Sequence, residues 1–240
     1  MSEIVKIDSI NPAPKIIRRA CALLEAGELV GVPTETVYGI ACDPAHLKKL
    51  YAAKERDRGK PIARLAASLE QVEALGADFG RDGKALAKKY WPGPLTLVLE
   101  TPEGITGFRV PDHEVPLALA RAFGRPIALT SANKSGDEDA INAQEAFQAL
   151  EPTASDFRAS AFAKASADRS PSSDEDNFQG SENPVALYLG CFQALEPASS
   201  DFRASPRPST VLMCTETKTK VLREGAISIA DITSFITALL

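Results

Sequence analysis

The sequence predicts a single α/β domain built on a twisted mixed sheet, with flanking helices and a concave basic ligand site. Three observations lead there. Helical and strand-like periodicities alternate along the chain. Apolar runs repeatedly end in polar loops, the places where α/β proteins hold anionic ligands. The 240 residues, 44% of them apolar, can bury one sizeable core.

Ile16, Ile17, Ala20, Leu23 and Leu24 share a helical face, and Gly27 is placed to end a first helix of about residues 12–26. Leu29-Val30-Gly31-Val32 reads as a buried strand running into Pro33, and Leu47, Leu50 and Tyr51 mark a second helix that ends near Lys54. A strand is expected over Pro61 to Ala67, followed by a short helix whose capping box is Ser68-x-x-Gln71. Another helix runs through Leu86 and Tyr90 into Trp91-Pro92-Gly93-Pro94, and the central strand Leu95-Thr96-Leu97-Val98-Leu99 follows. Phe108-Arg109-Val110 is a short strand closed by Pro111. Residues 114–123 form a helix, and Ile127-Ala128-Leu129-Thr130 delivers Ser131 and Asn133 into a loop. Thr210 to Met213 and Lys220 to Leu222 read as an antiparallel pair. A last helix from about Ser228 carries Ile229, Ile232, Phe235, Ile236 and Leu239 on one side.

The segment Phe147 to Ser160 recurs at Phe192 to Ser205 with 12 of 14 positions identical. Two copies do not make a solenoid. Between Ser155 and Asn183 the composition is Ser, Ala, Asp and Asn with scattered Phe, too polar to offset its ordering entropy. Stretches of about 150–183 and 192–206 therefore read as repeat-derived, largely disordered insertions into the single domain. Pro184 to Leu189 keeps strand character between them.

A net charge of −5 argues against broad charge-driven nucleic-acid binding. Between Lys48 and Arg64, however, seven basic residues face two acidic ones, a local balance of +5 that suits a small anionic ligand. No apolar run approaches the roughly 18 residues of a membrane span, and the N-terminus lacks the order of a signal peptide, so no membrane and a cytoplasmic location are expected. Cys21, Cys42, Cys191 and Cys214 have no C-x-x-C spacing and read as reduced core thiols. With His46 and His113 the only histidines, a His-based triad or multi-histidine metal site is excluded.

Five short segments carry chemistry in a fixed order: Pro33-Thr34-Glu35-Thr36-Val37-Tyr38-Gly39, Lys54-Glu55-Arg56, Phe108-Arg109-Val110-Pro111, Ser131-Ala132-Asn133 and Ser209-Thr210-Val211. Each has a plain structural reading alone: a helix N-cap for Thr34, an edge-strand ion pair for Arg109, an Asx or ST turn for Ser131 and Asn133. Their order, over roughly residues 10–146 and 207–230, resembles the YrdC-like family, the threonylcarbamoyl-AMP synthases. That resemblance implies synthesis of L-threonylcarbamoyladenylate from L-threonine, bicarbonate and ATP, with release of pyrophosphate, for N6-threonylcarbamoyladenosine in tRNA. By resemblance Lys54 and Arg56 are the catalytic phosphate clamps, and Arg58, Asn133 and Arg223 join them in binding ATP. Thr34, Arg109, Ser131 and Ser209 contact L-threonine, with Arg109 facing its carboxylate. Mg2+ enters with ATP and needs no dedicated protein cluster. A downstream tRNA-modifying transferase complex and a tRNA contact are the further partners. The chain departs from the family at Asp57, where a proline is usual, and before Ser209, where Leu189-Gly190-Cys191 and the second repeat replace an acidic Asp-Gly-Gly turn. The alternatives are a non-catalytic protein that binds tRNA or structured RNA, double-stranded RNA included, or a degenerate enzyme of the family.

Overall fold

The computed structural model describes residues 2–150, 185–191 and 207–239. Apart from Leu150, both expected insertions lie outside the described residues. Ten described strands form one mixed sheet: β1 (Glu3–Ile7), β2 (Leu29–Val32), β3 (Gly39–Cys42), β4 (Arg64–Leu65), β5 (Leu95–Thr101), β6 (Gly104–Arg109), β7 (Ile127–Ser131), β8 (Val185–Cys191), β9 (Thr210–Cys214) and β10 (Thr219–Arg223). Their spatial order is β1-β8-β2-β3-β7-β4-β6-β5-β9-β10. β8 runs parallel to both β1 and β2, and β5 is parallel to β9, while β2/β3, β3/β7, β5/β6 and β9/β10 are antiparallel. The described α-helices are α1 (Pro14–Glu25), α2 (Leu47–Ala53), α3 (Leu69–Glu73), α4 (Gly83–Tyr90), α5 (Glu114–Phe123), α6 (Ala143–Ala149) and α7 (Ile229–Ala238).

One half of the sheet is covered on both faces. Val30, Val32, Leu187 and Leu189 pack under α1 and α5, while Leu29, Ile40, Cys42 and Tyr188 pack under α2 and α6. Near-continuous apolar runs are what strands buried on two faces require. Gly31 fits this double packing because a Cβ there would meet the Tyr188 ring at 2.5 Å. Among the described residues the other half is covered on one face only. Leu95, Leu97, Leu99, Phe108 and Leu212 face α4 and α7, which leaves the alternate positions Thr96, Val98, Gly107, Arg109 and Val211 to line a cavity. This asymmetry places the site.

The expected helices agree with α1, α2, α3, α4, α5 and α7, and Ser68 and Ser228 cap α3 and α7 through their side chains. Four elements differ from expectation or escaped it. The strand expected over Pro61 to Ala67 shrinks to Arg64–Leu65, because the Lys60 and Pro61 carbonyls accept hydrogen bonds from the Arg56 guanidinium instead of a neighbouring strand. β1 and β3 are short and carry charged residues, Gly or Ala, so their periodicity is weak. α6 contains Phe147, the first residue of the repeat, whose ring lies 5.4 Å from that of Tyr188. The repeat therefore begins inside the packed domain. The strand expected after Pro184 is β8, Val185–Cys191, and it is an interior one.

Leu187 is fully buried in β8. Leu187→Ala should cost about 2–5 kcal/mol in chemical denaturation, a large part of a typical domain's stability. A cost under about 1 kcal/mol would contradict the interior position of β8.

Candidate functional site

The cavity encloses about 340 Å³ over the one-sided half of the sheet. In register across the strands, Thr96 pairs with Val211 and Val211 with Arg223, and Arg109 ends β6 on the same face. The loop after β2 adds Thr34 and Thr36, β7 adds Ser131, and the loop after α2 adds Arg56. Of the residues singled out from sequence, Thr34, Arg56, Arg109, Ser131, Ser209 and Arg223 line this one cavity. Lys54, Arg58 and Asn133 do not.

Lys54 is 1% exposed and lies beneath the cavity wall. Its ammonium donates to the Ser131 carbonyl, to Ser131 Oγ at 3.3 Å and to Asn133 Oδ1 at 2.9 Å. Ser131 Oγ in turn donates to Asn133 Oδ1 at 2.6 Å, and Asn133 Nδ2 donates to the Asp137 carbonyl at 2.6 Å. Three donors on one ammonium thus tie the end of α2 to the end of β7. Burial is the main cause that lowers the Lys54 pKa to about 8, and neighbouring Arg56 adds to it. Arg58 is exposed in the same loop, outside the cavity lining.

The inward turn of Lys54 and the outward turn of Arg56 have a backbone cause. The Arg56 N–H donates to the Tyr51 carbonyl at 3.0 Å and the Glu55 N–H to that of Ala52 at 3.1 Å, the two bonds of a Schellman cap. Glu55 takes the left-handed position of that cap, with φ of 49°. A glycine is usual there, since a side chain in that conformation costs about 1 kcal/mol.

The Thr34 loop forms a directed hydroxyl chain. Thr34 Oγ1 donates to the Val37 carbonyl at 2.6 Å, so the 3.0 Å contact between Thr34 and Thr36 has Thr36 as donor. Thr34 also accepts from the Thr36 N–H, which leaves its hydroxyl saturated. Thr36 Oγ1 accepts from Arg109 Nη1 at 3.0 Å and keeps one lone pair for a ligand. Arg109 further donates from Nε to the Gly93 carbonyl at 3.2 Å, and its Nη2 lies 2.6 Å from Glu35 Oε1 as an ion pair without hydrogen-bond alignment. His113, which accepts from the Val115 N–H to cap α5, is held below the ordinary histidine pKa by burial, against the pull of Glu35.

On the opposite wall Ser209 Oγ shares a 2.9 Å hydrogen bond with Thr96 Oγ1, and Arg223 Nη2 donates to the Ser209 carbonyl at 2.8 Å. Gly225 lets the turn after β10 press on this backbone, for a Cβ there would lie 2.1 Å from the Pro208 carbonyl oxygen. Burial lowers the Arg223 pKa; Arg109 and Arg56 add to that and Asp139 opposes it.

Sequence reasoning missed Thr36, Arg64 and Asp139, which also line the cavity, and it left Glu35 without a role. Thr36 was legible as the second hydroxyl of Thr34-Glu35-Thr36. Arg64 is paired with Glu103 at 3.1 Å, as Arg109 is with Glu35. Arg56 and Arg223 meet only carbonyls and a hydroxyl, so they are the guanidiniums of the cavity without an acidic partner among the described residues. Cys21, Cys42 and Cys214 are free and buried. Among the described residues no group of three or more His, Cys, Asp or Glu could hold a metal, and no helix is long and apolar enough to cross a membrane. A magnesium ion that brings most of its ligands as phosphates and water fits such a cavity; a metal held only by protein does not.

Fold and site together define an α/β ligand-binding domain with an arginine-rimmed, hydroxyl-lined cavity. The family model Sua5_yciO_yrdC, described as Telomere recombination, matches residues 22–158. The chain belongs to that family. It is 43% identical over 133 residues to a threonylcarbamoyl-AMP synthase of Pyrococcus abyssi, a match covering 50% of this chain and 39% of the relative. Proteins of the same name from Bacillus subtilis and Homo sapiens are 36% and 38% identical, over 57% of this chain and 44% and 52% of their own lengths. The match thus spans about half, or less, of the length of these relatives. P. abyssi Sua5 complexed with L-threonine superposes with a TM-score of 0.73 at 26% identity, covering 98% of this chain and 61% of that one. Escherichia coli YciO, at 20% identity and a TM-score of 0.65, shares the fold over 95% of this chain and 98% of its own.

Two outcomes follow from the Lys54 loop. Glu55→Gly should exceed Glu55→Ala in stability by about 1 kcal/mol, a Tm difference of roughly 2–4 °C, because both lose the Lys134 ion pair and only glycine relieves the backbone. Equal melting would contradict the strained cap. Since the pKa of Lys54 falls from 10.5 to about 8 on folding, the unfolded chain binds more protons between those values. Stability relative to Lys54→Met should therefore rise from pH 8 to pH 10, on the order of 2 kcal/mol, in parallel denaturant titrations. A flat difference would mean that the ammonium is not buried in solution.

Proposed function

We propose that the chain makes L-threonylcarbamoyladenylate from L-threonine, bicarbonate and ATP, with release of pyrophosphate and water. The observation that carries this reading is the single cavity in which two guanidiniums without acidic partners, Arg56 and Arg223, face Arg109 and the hydroxyls of Thr36, Ser131 and Ser209. The names of the relatives and the threonine complex of P. abyssi Sua5 support the same chemistry.

The amine of threonine and bicarbonate give a carbamate, whose oxygen attacks the α-phosphorus of ATP as pyrophosphate leaves in line. The protein's task is to hold the reactants and to stabilise the spreading negative charge. Arg56 and Arg223 take the phosphates as planar forks in this reading. Lys54 acts from below, fixing Ser131 and Asn133 and adding its charge through the wall. The threonine carboxylate goes to Arg109, either on its remaining Nη1 N–H or by displacing Glu35. Thr36 offers an acceptor to the substrate's amine or hydroxyl, and Thr34 supports Thr36. Mg2+ neutralises phosphate charge when bound with ATP, and Asp139 and the hydroxyls are the oxygens this chain can offer it. The product serves N6-threonylcarbamoyladenosine formation in tRNA, with a transferase complex and tRNA as downstream partners. Free buried thiols support a cytoplasmic setting.

Pyrophosphate and a threonylcarbamoyl-adenylate, identified by mass spectrometry, should form only when both L-threonine and bicarbonate accompany ATP. ATP turnover indifferent to threonine would sink the reading. Arg109→Ala should raise the KM for threonine, and Arg223→Ala the Kd for ATP, each by about one to two decades, the value of a charge-assisted contact of roughly 1.5–3 kcal/mol. Equal losses for both ligands in both variants would mean that the two arginines do not divide the work.

A further inference from the structure

We infer that Asp139 makes the cavity select a metal-bound nucleotide over a free one, by standing beside the phosphates where only an intervening cation makes its charge favourable. The inference rests on the nucleotide reading of the cavity. Asp139 is the one carboxylate in a described lining that includes Arg56, Arg64, Arg109 and Arg223. The acids that meet Arg64 and Arg109 are spent, since Glu103 and Glu35 each sit in an ion pair. Asp139 differs from them. It is half-buried, and no ion pair or hydrogen bond of its side chain is present among the described residues. Its charge still reaches Lys54 and Arg223, where it favours the protonated forms.

Two unpaired guanidiniums with one unpaired carboxylate form a wall of mixed sign. A free triphosphate gains from the first two and is repelled by the third. A magnesium triphosphate reverses that last sign, because the ion presents a positive face to the carboxylate while phosphate oxygens remain on the arginines. One carboxylate plus phosphates and water is also the usual way in which Mg2+ is held at nucleotide sites. The backbone supports this position: the Asn133 side chain holds the Asp137 carbonyl, and the Tyr38 N–H holds the Ala140 carbonyl at 2.7 Å, so the loop carrying Asp139 is tied on both sides.

The test is calorimetric titration of the full chain with α,β-methylene ATP, once with excess Mg2+ and once with EDTA, for wild type, Asp139→Asn and Asp139→Glu. Wild type should favour the magnesium form by about tenfold or more. Asp139→Asn should tighten metal-free binding and weaken magnesium binding, so that the two constants converge, and Asp139→Glu should restore most of the gap. An Asp139→Asn protein that melts like wild type and keeps the wild-type ratio overturns the inference and leaves the nucleotide site standing. Failure of wild type to bind either form overturns both.

Discussion

The site depends on one buried cation. The Lys54 ammonium, 1% exposed, joins the end of α2 to the end of β7 through the Ser131 carbonyl, Ser131 Oγ and Asn133 Oδ1. Without that strut the wall carrying Ser131 and the loop carrying Arg56 would be tied mainly by the Ser135 N–H bond to the Lys54 carbonyl and the exposed Lys134–Glu55 ion pair. Burying an ammonium is costly, and the lowered pKa records that cost. Three oxygens match its three donors and offset part of that cost. The strained residue beside it serves the same end, since the left-handed turn at Glu55 sends Lys54 into the protein and Arg56 out to the cavity.

Around this strut the charges are divided. Arg109 and Arg64 are matched by Glu35 and Glu103, whereas Arg56 and Arg223 are held by carbonyls and kept available. A cavity with every guanidinium paired would have little reason to take up an anion, and one with four unpaired would repel itself. The paired arginines act through geometry. Arg109 orients Thr36, which orients Thr34, along a chain whose donor direction is set by the Val37 carbonyl. The sheet supplies the platform, because among the described residues helices cover only one face of β5, β6 and β9 and leave the alternate residues to line the cavity.

Much of this was legible in the sequence because it rests on local pattern. Local pattern located six of the seven described α-helices, the five ordered segments located five cavity residues, and the resemblance added Arg223. Ser209 and Arg223 reached the cavity although the turn usual before Ser209 is replaced here. What stayed hidden depends on direction or on long-range pairing. Lys54-Glu55-Arg56 reads as two parallel phosphate ligands until the backbone turns one of them inward. Asp139 lies in a polar run, Gly136-Asp137-Glu138-Asp139, that looks like any solvated loop. The pairing of β8 with β1 joins residues more than 180 positions apart, beyond the reach of any local signal.

The most direct test of the central claim is a crystal structure of the chain with L-threonine and α,β-methylene ATP bound together. The account predicts the triphosphate against Arg56 and Arg223, the threonine carboxylate at Arg109, and the threonine nitrogen facing the α-phosphorus with room for the carbamate carbon and its attacking oxygen between them. Lys54 should remain beneath Ser131, making no contact with either ligand. Nucleotide bound outside this cavity, or Lys54 swung out to the phosphates with Ser131 and Asn133 released, would contradict it.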